Sequence, residues 1–295
     1  MDEGSTKELT RRLFAYSERN RVADIFDQDD FVATFEQLSP FVTSFGIHFN
    51  EFSMIRSRAI EFGTDFEHVK QMGYPPPHKM TRLNRCNFPG QTILYASSNP
   101  ETTFLEVEFS DKKPCAFITQ FNLKPDCELV LLSIGELDHY RRYKRTRLGT
   151  PGLNDKIDAL LAPMGHYERM AYQFVDAYLA DYFGRTPDEK DQRNLYDVTA
   201  RIANALLTQD GIDGLIYPSV RHQGGLNYAI KPDVFDQKFV VGKYQLTTAL
   251  YRYGYGLFEY YSYAEGDHLI EGKFALRTTY KYANARVTWP LSADE

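Results

Sequence analysis

Cysteine is scarce in this chain and follows no pairing pattern: Cys86, Cys115 and Cys127 form no CxxC. Three thiols leave one outside any disulfide scheme, so reduced cysteines are expected. The seven histidines show no HExxH or similar paired spacing, which argues against a dedicated metal site. No apolar run is long enough to span a bilayer, and the segment from Met1 to Lys7 is polar and acidic with no apolar stretch behind it. A membrane span and a secretory signal are therefore not expected, and the cytoplasm is the expected compartment. Positive charge is also lacking. A net charge of −6 argues against a nucleic-acid binder held by backbone phosphates. The chain has no GxGxxG, no P-loop and no GxSxG elbow, so Rossmann, kinase and serine-hydrolase readings are poor. Repeats, low-complexity tracts and flexible linkers are missing too, so independent beads are not expected.

Apolar side chains are plentiful: 43% of the 295 residues are hydrophobic, with 21 Tyr and 21 Phe against a single Trp. That is enough to bury one large core, and one elaborated domain is preferred over two small ones. Residues 1–45 read as a helical extension, with Leu9, Leu13, Phe14 and Tyr16 on one face and a second helix through Phe31, Val32, Phe35, Leu38 and Phe41. The body spans residues 46–240. Alternation from Phe52 to Phe62 predicts a strand with Arg56 and Arg58 on one face. Thr92 to Ala96 predicts another, and Ser98-Asn99-Pro100-Glu101 is a helix-start signal. Strands are also expected at Ala116 to Phe121, Leu129 to Leu132 and Gly214 to Tyr217. Helices are expected between Pro151 and Phe183 and from Leu195 to Leu207, the second closed by a glycine cap at Gly211. Residues 241–295 alternate aromatics and read as a strand-rich extension packed on the core.

Four polar motifs stand far apart: Arg56-Ser57-Arg58; Asn84-Arg85-Cys86-Asn87-Phe88-Pro89-Gly90 leading to Tyr95; Glu101-Thr102-Thr103-Phe104-Leu105-Glu106; and Asp213 to Ser219 with Asn227 behind it. In this order they resemble the RES domain family, named for its arginine, glutamate and serine, from about Arg56 to about Pro232. The resemblance implies an α+β fold of ADP-ribosyltransferase type, a mixed and mostly antiparallel pair of sheets with helices around it, and a cleft for NAD. It implies an NAD-consuming enzyme that cuts the nicotinamide–ribose bond with water or phosphate as acceptor. NAD is then substrate, and no metal is called for. Family members are often toxins neutralised by an antitoxin seated over the cleft, so an inhibitory partner is implied; self-association stays open.

Arginine suits a pyrophosphate because its planar fork makes paired, charge-assisted hydrogen bonds. The resemblance gives that role to Arg56 and Arg85, with Arg58 the weaker candidate. Glu106 takes the family's carboxylate place, where it would stabilise an oxocarbenium-like transition state. Glu108 is the nearby decoy: on a helix it points about 200° away from Glu106. Tyr95 is placed to stack on nicotinamide or to bond the ribose, Ser219 to contact ribose or phosphate, and Asn227 to touch the ligand or its supports. Where the family commonly has glycine before its second arginine, this chain has Asn84, a residue that tolerates left-handed backbone. The basic run Arg141 to Arg147 reads as a solvated helix end or loop, with an acidic partner or nucleic acid as the alternative. Two other functions stay open: ADP-ribosyl transfer to a protein, and a catalytically silent nucleotide- or partner-binding module.

Overall fold

The computed structural model describes residues 46–61, 63–64, 66–107, 113–186, 192–254 and 257–278, with scattered helical positions between 4 and 15. The second N-terminal helix expected through Phe31 to Phe41, Glu108, and the aromatics beyond residue 278 lie outside these residues. The architecture is α+β. Ten strands follow the order β1-β5-β6-β7-β3-β2-β4-β8-β9-β12: β1 (Gly46–Phe49), β5 (Leu129–Ser133), β6 (Gly214–Pro218), β7 (Leu226–Ile230), β3 (Leu94–Ser97), β2 (Ser53–Ile60), β4 (Cys115–Leu123), β8 (Phe239–Gly254), β9 (Leu257–Gly266) and β12 (Arg277–Thr278). Only β5 and β6 run parallel among these neighbours. A short ribbon of β10 (Leu269–Ile270) and β11 (Lys273–Phe274) stands apart.

The sheet has a seam. β2 lies against β4 over eight residue pairs, but it meets β3 at one, Ile55 with Ser97. Five strands thus stand on each side of a nearly open join. The pair of sheets expected from the family resemblance is present as two halves of one ladder. Both halves face a shared core: Leu131, Ile216, Tyr228 and Ile230 from one, Met54, Phe117, Phe121 and Leu246 from the other. Phe52 bridges them, its ring 5.0 Å from Tyr228 and 6.3 Å from Phe239. Because strand side chains alternate, Leu215, Tyr217 and Ala229 point from the opposite face of the first half. There they meet Val175, Leu179 and Phe183 of α4 (His166–Gly184) and Val198, Ile202 and Leu206 of α5 (Gln192–Leu207). Among the described residues from 46 onward the other α-helices are α1 (Pro100–Glu106), α2 (Glu136–Tyr143), α3 (Leu153–Leu161) and α6 (Pro232–Lys238).

Local rules explain most of these elements, and two expectations need correction. α5 ends at Leu207, and Gly211 takes φ +76 four residues later, in the turn that feeds β6. The glycine shapes that turn and does not cap the helix. Asn84 avoids the left-handed region altogether: it forms an antiparallel bridge with Asn87, closed by Asn84 N–H to Asn87 O at 3.1 Å. The loop therefore needs no glycine before Arg85. In the basic run, Arg141 and Arg142 both pair with Asp138, at 2.6 and 2.8 Å, at the end of α2.

Candidate active site

A cavity of about 440 Å³ opens at the seam. Its wall takes Arg56 and Ser57 from β2, Tyr95 and Ser97 from β3, Glu106 from the end of α1, and Tyr217 and Asn227 from β6 and β7. Arg85, Tyr196 and Arg221 also line it.

Glu106 is aimed by its helix and then held by two donors. Asn99 caps α1 by accepting Thr102 N–H at 2.8 Å, and Pro100 occupies the first turn, so the helix begins where the chain leaves β3. Phe104 is buried against Ala116 and Ile118 of β4, fixing the rotation of α1. Glu106 closes the helix on the cavity side, where Ser219 Oγ and Asn227 Nδ2 each donate to its Oε1 at 2.7 Å. No hydrogen bond from the described residues reaches Oε2, which leaves that oxygen to a ligand. Asn227 is oriented in turn by Ser97 Oγ, which donates to its Oδ1 at 2.8 Å.

Ser219 has no proton to spare for a ligand. Its oxygen accepts the N–H of Arg221 at 3.2 Å and of His222 at 3.0 Å, and its one hydrogen goes to Glu106. The loop is closed by Ser219 N–H to Gly225 O and Gly225 N–H to His222 O, both 2.9 Å. It is pinned to α1 by His222 Nδ1 against Thr102 Oγ1 at 2.8 Å. Glycine is required at 225, since a Cβ there would sit 2.4 Å from Thr102 Oγ1.

The two arginines differ. Arg56 sits where the ladder between β2 and β3 has lapsed, and its Nη1 donates to the otherwise unpaired carbonyl of Tyr95, a side chain standing in for a strand. Its Nε is buried with no hydrogen-bond partner among the described residues. Burial first, and then repulsion from Arg58, lowers its pKa to about 10, so it stays cationic at neutral pH. Arg85 is buried and already engaged. Nη1 donates to Tyr182 O at 3.2 Å and Phe183 O at 2.9 Å, and Nη2 to Arg185 O at 3.0 Å, which caps the C-terminal end of α4. Its guanidinium also lies 5.5 Å from the Tyr196 ring. Arg58 turns away from the cavity, donating to Gln71 O at 2.6 Å and covering Phe66.

Tyr95 lines the cavity, but its hydroxyl belongs to the loop before it, donating to Asn87 Oδ1 at 2.7 Å and accepting Cys86 N–H at 3.0 Å. Burial raises Tyr95 and Tyr217 well above the ordinary phenol range and pushes the Cys86 thiol up to about 12. All three remain neutral at physiological pH. Among the described lining residues the charges are then three guanidiniums against the one carboxylate of Glu106. A cavity cationic by two, in a chain whose net charge is −6, is suited to an anion.

Ser97, Tyr196 and Arg221 carry no sequence signal as site residues; Arg221, two places after Ser219, could have been found only by following the loop. No cluster of three or more His, Cys, Asp or Glu that could hold a metal occurs among the described residues, nor a helix long and apolar enough to cross a membrane.

The fold is α+β, a mostly antiparallel sheet split at one seam, with a buttressed carboxylate and a half-satisfied arginine lining the cavity across it. The chain matches the RES domain over residues 58–249, and it belongs to that family. The match takes in Arg85, Tyr95, Glu106, Ser219 and Asn227, with Arg56 just ahead of it. No curated protein and no solved structure matches the chain.

Proposed function

We propose that this chain consumes NAD, breaking the bond between nicotinamide and ribose and passing the ADP-ribosyl group to water or inorganic phosphate. The observation that carries this reading is Glu106, with Oε1 clamped by Ser219 and Asn227 in the same cavity as Arg56. The ring of NAD is already cationic and departs as neutral nicotinamide, so its departure needs no acid. A single carboxylate can then suffice where an ordinary glycosidase uses two. Glu106 would steady the positive charge that grows on the ribose. Arg56 would bind phosphate through the donors that Tyr95 O leaves over. Ser219 and Asn227 would hold the carboxylate in place.

In a cell such an activity depletes NAD and is toxic, and an inhibitory protein seated over the cavity mouth would restrain it, in the cytoplasm. The test is to incubate the purified chain with NAD, with and without phosphate, and to identify every product by mass. Free nicotinamide with ADP-ribose, or with ADP-ribose 1″-phosphate when phosphate is present, is expected. Label that ends on protein would move the assignment to protein ADP-ribosylation. NAD that survives every acceptor would favour a silent binding module.

A further inference from the structure

We infer that Ser57, on the wall of the cavity, accepts a hydrogen bond from the carboxamide of the nicotinamide ring and so makes the site selective for the amide over the corresponding acid; this rests on the NAD reading above. The direction of one hydrogen-bond chain decides what Ser57 can bind. Thr103 Oγ1 donates its single hydrogen to Pro100 O at 2.8 Å, a carbonyl that can only accept. Toward Ser57 the same oxygen must therefore accept, and Ser57 Oγ donates to it at 2.7 Å. The one hydrogen of Ser57 is thus committed to Thr103. The hydroxyl keeps only lone pairs for the cavity that it lines, so its ligand partner has to be a donor.

The position of Ser57 favours the ring over the phosphates. Successive strand residues face opposite ways. Ser57 and Ile55 stand on the α1 side of β2, with Ile55 packed on the cluster of Phe104, whereas Arg56 turns to Tyr95 O. Thr103 and Glu106 are three residues apart on α1, which sets their Cβ atoms about 5–6 Å from each other on one face. Ser57 therefore lies beside the helix face that carries Glu106, and away from the cation offered to phosphate. The carboxamide is the donor that a ring joined to a ribose at Glu106 would bring there. Charge pulls the other way: the guanidiniums that line the cavity would favour the acid, with its extra negative charge, if charge alone decided. An acid turned toward Ser57 would instead set a carboxylate against lone pairs with no hydrogen between them, and a site built to accept from an N–H rejects an analogue that lacks it.

The test compares NAD with its deamidated form, nicotinic acid adenine dinucleotide, as substrates of the full chain and of its Ser57→Ala and Thr103→Val variants. The wild type is expected to prefer NAD at least tenfold in kcat/KM. Thr103→Val leaves Ser57 in place but frees its hydrogen to turn to the ligand, so the preference should shrink through a gain on the acid. Ser57→Ala should shrink it through a loss on NAD. Because the preference is a ratio, a general disturbance of α1 lowers both rates and does not move it. A wild type that uses both dinucleotides alike or prefers the acid, or a preference unchanged within twofold in either variant, overturns the inference and leaves the NAD reading standing. A chain that consumes neither dinucleotide overturns both.

Discussion

The two halves of the sheet contribute unequally to the cavity between them. The half ending at β3 lines it with Tyr95, Ser97, Tyr217 and Asn227 and, just past β6, sets Ser219 against Glu106 Oε1, so it orients and encloses the carboxylate. The half beginning at β2 supplies Arg56 and the platform on which Phe104 seats α1. Its other strands build core: Phe117 of β4 and Tyr244 of β8 pack with each other and with Phe274 of the separate ribbon, ring centroids 4.6 to 6.2 Å apart. One half therefore controls where negative charge sits and the other delivers Arg56. Changes on the two sides should fail differently.

The largest difference is expected from Glu106→Gln. It keeps the shape that Ser219 and Asn227 hold but removes the charge, so turnover should drop by roughly 3–4 kcal/mol of barrier while ADP-ribose still binds. Arg56→Ala, across the seam, should do the reverse and raise KM more than it lowers kcat. Single-turnover kinetics separates the two, and near-normal turnover in Glu106→Gln would refute the role given to the carboxylate.

Next in size is Arg85→Ala. The carbonyls of Phe183 and Arg185 lose the guanidinium and that of Tyr182 keeps only the long bond from Arg185 N–H, and stability should fall by roughly 2–3 kcal/mol, whereas Arg56→Ala should melt close to wild type. Denaturant titration of both variants decides this; equal midpoints would deny Arg85 its structural task.

A smaller effect is expected from Ser219→Ala. Oε1 of Glu106 keeps Asn227 as donor, so the carboxylate is loosened and not lost, and kcat should fall by about tenfold, or ~1.5 kcal/mol. If Ser219 contacted ligand directly, KM would rise instead.

The last lies away from the seam and concerns stability alone. Asp176 is buried in α4 and accepts Gly135 N–H and Asp138 N–H, each at 2.8 Å, at the start of α2. Burial raises its pKa to about 7, against about 3.9 in an unfolded chain. The native state thus keeps a proton that the unfolded state releases, and stability should decline as pH rises from about 4 to about 7. Asp176→Asn should flatten that part of a melting-against-pH curve; an unchanged slope would clear Asp176 of responsibility.

The sequence shows the site more clearly than the sheet. Alternation around Arg56 marked β2, and the Asn99-Pro100 pair marked the start of α1, because both signals are local. Glu106, Ser219 and Asn227 were recognisable from motif order, and folding joins them by two hydrogen bonds. The engagement of Arg85 was not legible. Its partners lie about a hundred residues downstream, and backbone carbonyls leave no mark in a sequence. Strand order was hidden for a similar reason. β4 and β5 are successive and joined by a short turn, yet they stand in different halves, β4 beside β2 and β8, β5 beside β1 and β6. The short helix α6 went unnoticed because Pro232 marks a break as readily as a helix start.

Ser97 is a rivet. It is the β3 member of the one residue pair joining the halves, it stands opposite Asn227 in the ladder with β7, and its hydroxyl holds the Asn227 amide. From there a second bond reaches Glu106. Any slip along this fault line is therefore felt at the carboxylate two links away, because the residue whose backbone joins the halves is also the one whose hydroxyl steers that oxygen.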